Sequence, residues 1–516
     1  MTKLSWKIQT DKRAMVTDSE VNALFEQVRP DLLGQRIANE QLNQTEALLT
    51  LKLRTQGYLI GQVVASVQDR LSFEKTGELN FRVFLGNLAQ LEIKNASATD
   101  DAWVAAVVTK NLCPDGVGDA CVLTKTKLER TTQLLQDIVG LYIGALEFNA
   151  DDMPIGQTKL RVTTVAKDAQ IKGSVGLDNQ GASSTGQYRL GATLSASNLF
   201  GVGDVLALNA FTSSQGALSG GLDASGPLSP NGLRWQSSLS RSQFTLPSIH
   251  STGFGNSASV GLAYPFVRSL DVNWAASLNA VGVMSKSETA QVVTSQKTLT
   301  SAQLAIDGNS GDRSIALGQN TWFVHSALTL GHVKDSANTR ASNQPLGAYA
   351  KWAYQAYGKL ILSQERNLYA TLNVRGQVAN TNLDPYEKLA IGGYAGVRSY
   401  RPEQGSLNQG TIATAELRQS INTKWGQFTP IALLDYGNGW INHSTYANWQ
   451  LNSGYADSGL SNHMVLADAG LGLDWNGFHG LTLSAIWARR WPHSPAAINT
   501  SGNKSSQFWF VVQTHF

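Results

Sequence analysis

With 516 residues, of which only 15% are charged, and a formal net charge of +3, the chain is long enough for several domains and too nearly neutral to argue for nucleic-acid binding. Its 48 glycines and 13 tryptophans exclude a disordered composition, and no run approaches the 18 apolar residues that a helical membrane span requires. The opening MTKLSWKIQTDKRAM has no apolar core, so any export signal is expected to have been removed.

A first strand is expected at SWKIQTD. Thr17-Asp18-Ser19-Glu20 follows as a capping box, whose hydroxyl and carboxylate satisfy free amides at a helix start. Val21, Leu24, Phe25 and Val28 then fall at i, i+3, i+4 and i+7. A second helix over 39–55 carries Leu42, Leu49 and Leu53 on one side and stops at Gly57, and strands at 59–67 and 78–85 complete a β-α-α-β-β order. The same order returns about 85 residues later: strand LAQLEIKN, helices over 100–112 and 125–141, and strands near Ala145 and Lys159. The N-terminal third therefore divides into two α+β units, 1–86 and 87–167. Each sheet is expected to leave an edge strand for another chain, and in the first unit Val63, Ala65 and Val67 would meet the side chains of a bound partner. Between the helices of the second unit, CPDGVGDAC places Cys113 and Cys121 around a Gly/Asp turn with no histidine nearby, which predicts a disulfide rather than a metal site.

After about residue 170 the period becomes two and stays so to the end. In RNLYATLNVRGQVA, Leu368, Ala370, Leu372 and Val374 alternate with Tyr369, Thr371, Asn373, Arg375 and Gln377. TIATAELRQS shows the same split, with Ala413, Ala415 and Leu417 opposed to Thr414, Glu416 and Arg418, and in MVLADAGLGLDW Asp468 and Asp474 share one face. About sixteen such segments fit before Phe516, each near the length of a tilted membrane-crossing strand. Short connections (NLFGVG, LSPNG, NGFHG) alternate with long ones near 285, 335, 380–409 and 441–462, the pattern of an outer-membrane β-barrel over 168–516. The long connection at 380–409 holds IGGYAGVRSYRPEQG, in which glycines flank Val397, Arg398 and Tyr400 and place a cation and a ring at chosen points.

Two helix-covered repeats ahead of a sixteen-stranded barrel, with VRSY after the eleventh strand, resemble the outer-membrane transporters of two-partner secretion, the TpsB family, and the repeats resemble POTRA domains. The barrel start is similar too, in Asp178, Asn179, Gly181, Thr185, Gly186, Asn198, Leu199, Gly201, Gly203 and Asp204. The resemblance implies that the loop folds into the barrel and that Arg398 pairs with Asp435 of LLDYGNG, where Gly437 completes the motif on the thirteenth strand. Asp468 and Asp474 are competing acceptors. Ser399 stands where the family carries glycine, Ala432 and Leu433 stand where aromatics are common, and the family's N-terminal plug helix has no visible counterpart before the first repeat.

The expected function is export: the repeats, in the periplasm, capture a large unfolded exoprotein of the TpsA type, and a monomeric barrel surrounded by outer-membrane lipid passes it outward. No P-loop, GxSxG or HExxH occurs and the eight histidines are scattered, so neither enzyme activity nor a cofactor or metal is expected. Rival readings are an assembly insertase of the same superfamily and a passive solute porin.

Overall fold

The computed structural model describes residues 3–8, 18–167, 170–246, 249–336, 345–447, 449–452, 461–492 and 504–516. It divides into two compact units, one holding the chain to residue 168 with the segments 200–203 and 229–232, the other holding the remainder.

In the first unit, β1 (Lys3–Ile8), α1 (Asp18–Leu32), α2 (Asn39–Thr55), β2 (Gln62–Val64), α3 (Val67–Thr76) and β3 (Glu78–Phe84) make the first repeat. β3 is central, parallel to β1 and antiparallel to β2. Leu79, Phe81 and Val83 alternate into a core shared with Phe25, Leu42, Leu49 and Leu53, and Trp6 stacks on Phe25 at 4.6 Å between ring centres. Thr17 of the proposed capping box lies outside the described residues, as do the side chains of Asp18, Ser19, Glu20 and Val28.

α3 corrects the expected strand at 59–67. That strand shrinks to three residues because Ser66 starts a helix: its hydroxyl accepts the Asp69 amide (3.2 Å), and Asp69 Oδ2 accepts the Ser66 amide (3.1 Å). The helix ends at Gly77, whose φ of 71° suits glycine.

The second repeat comprises β4 (Asn87–Ala96), α4 (Asp101–Leu112), α5 (Lys125–Gln136), β5 (Leu141–Asn149) and β6 (Gln157–Ala166). Its sheet runs β4-β6-β5, with β4 parallel and β5 antiparallel to β6. Asp100 and Thr124 cap the two helices by accepting the Trp103 and Lys127 amides. Cys113 and Cys121 are disulfide-bonded with Cα atoms 4.9 Å apart, and both are buried in the core beneath the helices.

The second unit is a closed antiparallel barrel. Its strands are β7 (Ile171–Asp178), β8 (Arg189–Ser197), β9 (Val205–Ser213), β10 (Leu218–Pro227), β11 (Arg234–Leu246), β12 (Ser251–Arg268), β13 (Asn273–Thr289), β14 (Val292–Asn309), β15 (Thr321–Asp335), β16 (Gly347–Ser363) and β17 (Leu368–Ala379). A long loop carrying the two-residue strands β18 (Leu389–Ala390) and β19 (Ser406–Leu407) leads to β20 (Gln409–Gln419), β21 (Ile421–Thr423), β22 (Gly426–Trp440), β23 (His463–Asn476), β24 (Leu481–Arg490) and β25 (Ser506–His515). β20 and β21 both pair with β22 as one stave, so the wall has sixteen, and β25 closes it on β7. Leu278, Leu304, Leu328, Leu372 and Leu434 point outward and stay about half exposed, as a lipid-facing surface requires.

One connection departs from expectation. The region near 285 is not a long loop: β13 and β14 run on to Thr289 and Val292 and turn through Ala290 and Gln291 at φ 48° and 65°, a two-residue hairpin. Lys286 and Glu288 on this hairpin alternate with Ser285, Ser287 and Thr289, none of them apolar, which is why alternation does not reveal it.

Candidate functional site

The connection between β17 and β20 is folded, not slack. Its ends pair as β18 with β19. Between them the Ile391 carbonyl accepts the Val397 amide (2.8 Å), Gly396 donates to Gly393 (2.9 Å), and Gly393 donates to Tyr400 (2.9 Å). Gly393 takes φ 100°, and a Cβ on Gly392 or Gly396 would run into the carbonyl of Arg401 or Ile391, so glycine is a steric requirement of this turn. Ile391, Val397, Tyr400 and Leu407 bury themselves with Ile412 of β20, Met464 and Leu466 of β23, and Ile441. This apolar cluster offsets the ordering cost of so long a loop. Lys297 binds Asp384 (2.8 Å) and Lys351 binds Glu387 (2.5 Å), tying the start of the loop to β14 and β16.

The strand registers place the acceptors. On β20, β22 and β23 the residues on Asp435's side of the sheet are Thr414 and Glu416, Leu433 and Gly437, and Asp468 and Asp474, with Asp435 directly opposite Asp468. Arg398 lies on this face with 8% exposure, beside Asp435 at 3% and Asp468 at 1%.

The expected ion pair between Arg398 and Asp435 is present, at 3.6 Å, but it is neither the shortest contact of the guanidinium nor a wet one. The Arg398 guanidinium makes its short contact with Glu416, Nη2 to Oε1 at 2.6 Å, while its Nε lies 3.6 Å from Asp435 Oδ2 and donates to the Tyr394 carbonyl (3.3 Å). Asp435 also accepts the Arg398 backbone amide (3.2 Å). Neither competing acceptor takes the guanidinium: Asp468 accepts the Ser399 amide (2.6 Å), and Asp474 pairs with Arg418 (2.7 Å), whose Nε also reaches Glu416 (2.7 Å). Finally, the network is buried rather than wet, so it belongs with dry ion pairs and not with surface ones.

The neighbouring residues complete the lock. Trp509 of β25 donates from its indole to the Arg398 carbonyl (2.7 Å), and Tyr394 packs edge-on to that indole above Ile431, Leu433 and Ile486. Arg490 lies 4.3 Å from the centre of the buried Tyr400 ring, a cation–π contact. Gly437 explains its place in the motif, because a Cβ there would sit 2.7 Å from the Ile391 side chain and 3.0 Å from Val397. Ser399 is not among the positive-φ residues and is fully buried, so its backbone tolerates a side chain at the position where the resemblance implied glycine.

The expected partner-binding residues do not share one outward strand face. Val63 and Ala65 are 3% and 6% exposed and face the core of the first repeat, and Val67 begins α3. The β2 edge is also occupied from within: the Val63 amide donates to Thr50 Oγ1 (3.0 Å) and the Ala65 amide to Glu46 Oε1 (2.8 Å), with Arg70 bound to Glu46 (2.8 Å). Amides already bound by side chains of the same unit leave this edge fewer free donors to offer another strand.

Residues 156–459 match the family model described as haemolysin secretion/activation protein ShlB/FhaC/HecB. The heme/hemopexin transporter protein HuxB of Haemophilus influenzae is 22% identical over 519 residues, covering 98% of this chain and 85% of that protein. The outer membrane transporter CdiB of Dickeya dadantii (strain 3937) is 23% identical over 395 residues, 73% of this chain and 66% of that protein. Among solved structures, CdiB from Escherichia coli superposes with a TM-score of 0.76 at 20% identity, over 100% of this chain and 90% of that one.

Proposed function

Because the chain belongs to the ShlB/FhaC/HecB family of haemolysin secretion/activation proteins, an outer-membrane two-partner secretion transporter, we propose that its docked loop is the element that governs passage of the exoprotein through the barrel. The observation carrying this reading is the Arg398, Glu416, Asp435 and Asp468 network, which fixes the loop tip to β20, β22 and β23. A loop seated as one body, by a buried polar network together with an apolar cluster, has two discrete positions, docked and released, and a transporter needs such a bistable part. Release exposes charged groups to water inside the barrel and opens the space the loop fills. With no nucleotide site in the sequence, folding of the exported chain outside supplies the thermodynamic drive.

Capture of the exoprotein moves from β2 to β5, one of the two edge strands of the second sheet. Tyr142 and Phe148 on β5 are 48% and 43% exposed, and among the described residues no side chain caps its amides as Thr50 and Glu46 cap those of β2. The barrel sits in outer-membrane lipid as a monomer. The cargo is a large β-prone secreted protein, and the likeness to the heme/hemopexin transporter protein HuxB makes a cargo that engages heme or hemopexin one candidate class.

The test is export of the partner exoprotein from cells carrying this protein, set against small-solute flux in liposomes. Exoprotein in the medium with flux at background supports the proposal. Rapid solute flux without export would return the barrel to a porin, and improved assembly of an outer-membrane reporter without export would return it to an insertase.

A further inference from the structure

Between neighbouring staves of the wall the ladder is shortest at the seam where β25 meets β7: it runs only from Val511 opposite Asp178 to His515 opposite Ser174, whereas β11 and β12 pair from Arg234 with Ala263 to Leu246 with Ser251. Below it, Gly173 and Phe516 exchange amide–carbonyl bonds at 2.8 and 2.9 Å. Above it, the chain leaves β25. Asp178 is held by Arg189 of β8 (Nε to Oδ1, 2.8 Å), and the Gly181 amide turns to Gln187 (3.0 Å), where a Cβ would collide with the Gly186 carbonyl. The backbone groups of β25 at Phe508 and Phe510 would then face no strand.

Asn179 fills that gap with its side chain. Its Nδ2 donates to the Phe508 carbonyl (2.7 Å), its Oδ1 accepts the Phe510 amide (2.8 Å), and its own amide reaches the Phe510 carbonyl (3.4 Å). A carboxamide carries the same donor and acceptor as a peptide unit, so Asn179, 4% exposed, stands in for the next residue of β7 after the backbone has turned away. Aspartate lacks the donor, and glutamine places the group one methylene too far.

We propose that Asn179 is the stitch that keeps the β7–β25 seam closed, positioning the last strand so that passage is confined to the barrel interior. Trp509, between the two stitched residues, donates to the Arg398 carbonyl, so the same short stretch of β25 holds both the seam and the loop tip. Seam and lock are therefore mechanically joined.

The experiment uses the full chain in planar lipid bilayers with potassium chloride as the permeant probe, together with hydrogen exchange of the Phe510 amide. Loss of two ordinary hydrogen bonds in Asn179→Ala raises seam opening by about tenfold to a hundredfold, read as faster Phe510 exchange and a matching rise in leak current. Gly176 and Gln513 face each other across the seam, alternate with the hydrogen-bonded pairs, and suit a disulfide between Gly176→Cys and Gln513→Cys. In the oxidised double-cysteine background, Asn179→Ala is expected to leak no more than the wild type, and reduction should bring the leak back. Wild-type leak and exchange in Asn179→Ala, or a leak that survives the cross-link, would overturn the proposal.

Discussion

Removing the Arg398 guanidinium deletes its 2.6 Å contact with Glu416 and its 3.6 Å approach to Asp435. Deleting one partner of a buried ion pair costs about 3–5 kcal/mol because the other charge is stranded. Here neither carboxylate is fully abandoned: Glu416 keeps Arg418 at 2.7 Å, and Asp435 keeps the residue-398 amide. The cost of Arg398→Ala therefore falls near the lower limit, about 3 kcal/mol. At 1.36 kcal/mol per decade, the ratio of docked to released loop drops by about 150-fold. Hydrogen exchange of the amides at 398 and 399 reports release directly, since both are bound by carboxylates only while the loop is docked. Secretion should fall to background while heat-modifiable migration shows a folded barrel, and Arg398→Lys should recover little because it lacks the fork that reaches Glu416 and the Tyr394 carbonyl together. A double-mutant cycle with Glu416→Gln isolates the pair. Exchange accelerated less than tenfold, or a coupling within about 0.5 kcal/mol of zero, would refute the reasoning.

Replacing Cys113 and Cys121 by serine opens a short loop and should cost the second repeat about 2–3 kcal/mol by loop-closure entropy, measured as faster exchange of the α4 and α5 amides; unchanged exchange would contradict it. Gly437→Val pushes side-chain atoms against Ile391 and Val397, and overpacking of about 1–3 kcal/mol should release the loop while the barrel stays folded. In the first repeat, partial burial works to raise the Asp69 carboxyl, but hydrogen bonds from Ser66 and Arg82 outweigh it and hold the group below its ordinary range. That contribution is fully present above the unfolded value of about 3.9 and is lost as pH falls through the lower folded value, so Asp69→Asn should flatten the acid limb of an unfolding curve of α3 and β3.

The barrel was legible because lipid outside and water inside impose a period of two on most of its staves, and unequal connections identify the two ends. Alternation failed at Lys286 and Glu288, on the two-residue hairpin between β13 and β14. It also failed at α3, which has no buried residue and so no apolar stripe, although Ser66-x-x-Asp69 carried the start signal. At the lock, parity along one strand placed Glu416 and Arg418 together and Asp435 with Gly437. Parity cannot say which carboxylate meets the loop tip. That depends on register between β20, β22 and β23 and on the turn through Gly393 and Gly396, neither of which any single segment encodes.

The loop's resting place is built mostly from residues that follow it in the chain. Val397 and Tyr400 pack with Met464 and Leu466, Asp468 holds the Ser399 amide, Arg490 covers the Tyr400 ring, and Trp509 on the last stave takes the Arg398 carbonyl. A segment made early must therefore wait for β23 to cover its apolar side chains and for the final strand to complete its polar contacts. Docking then certifies that the barrel is complete: a chain truncated or mispaired before β23 leaves Ile391, Val397 and Leu407 without Met464 and Leu466, and one that lacks the last strand leaves the Arg398 carbonyl without Trp509.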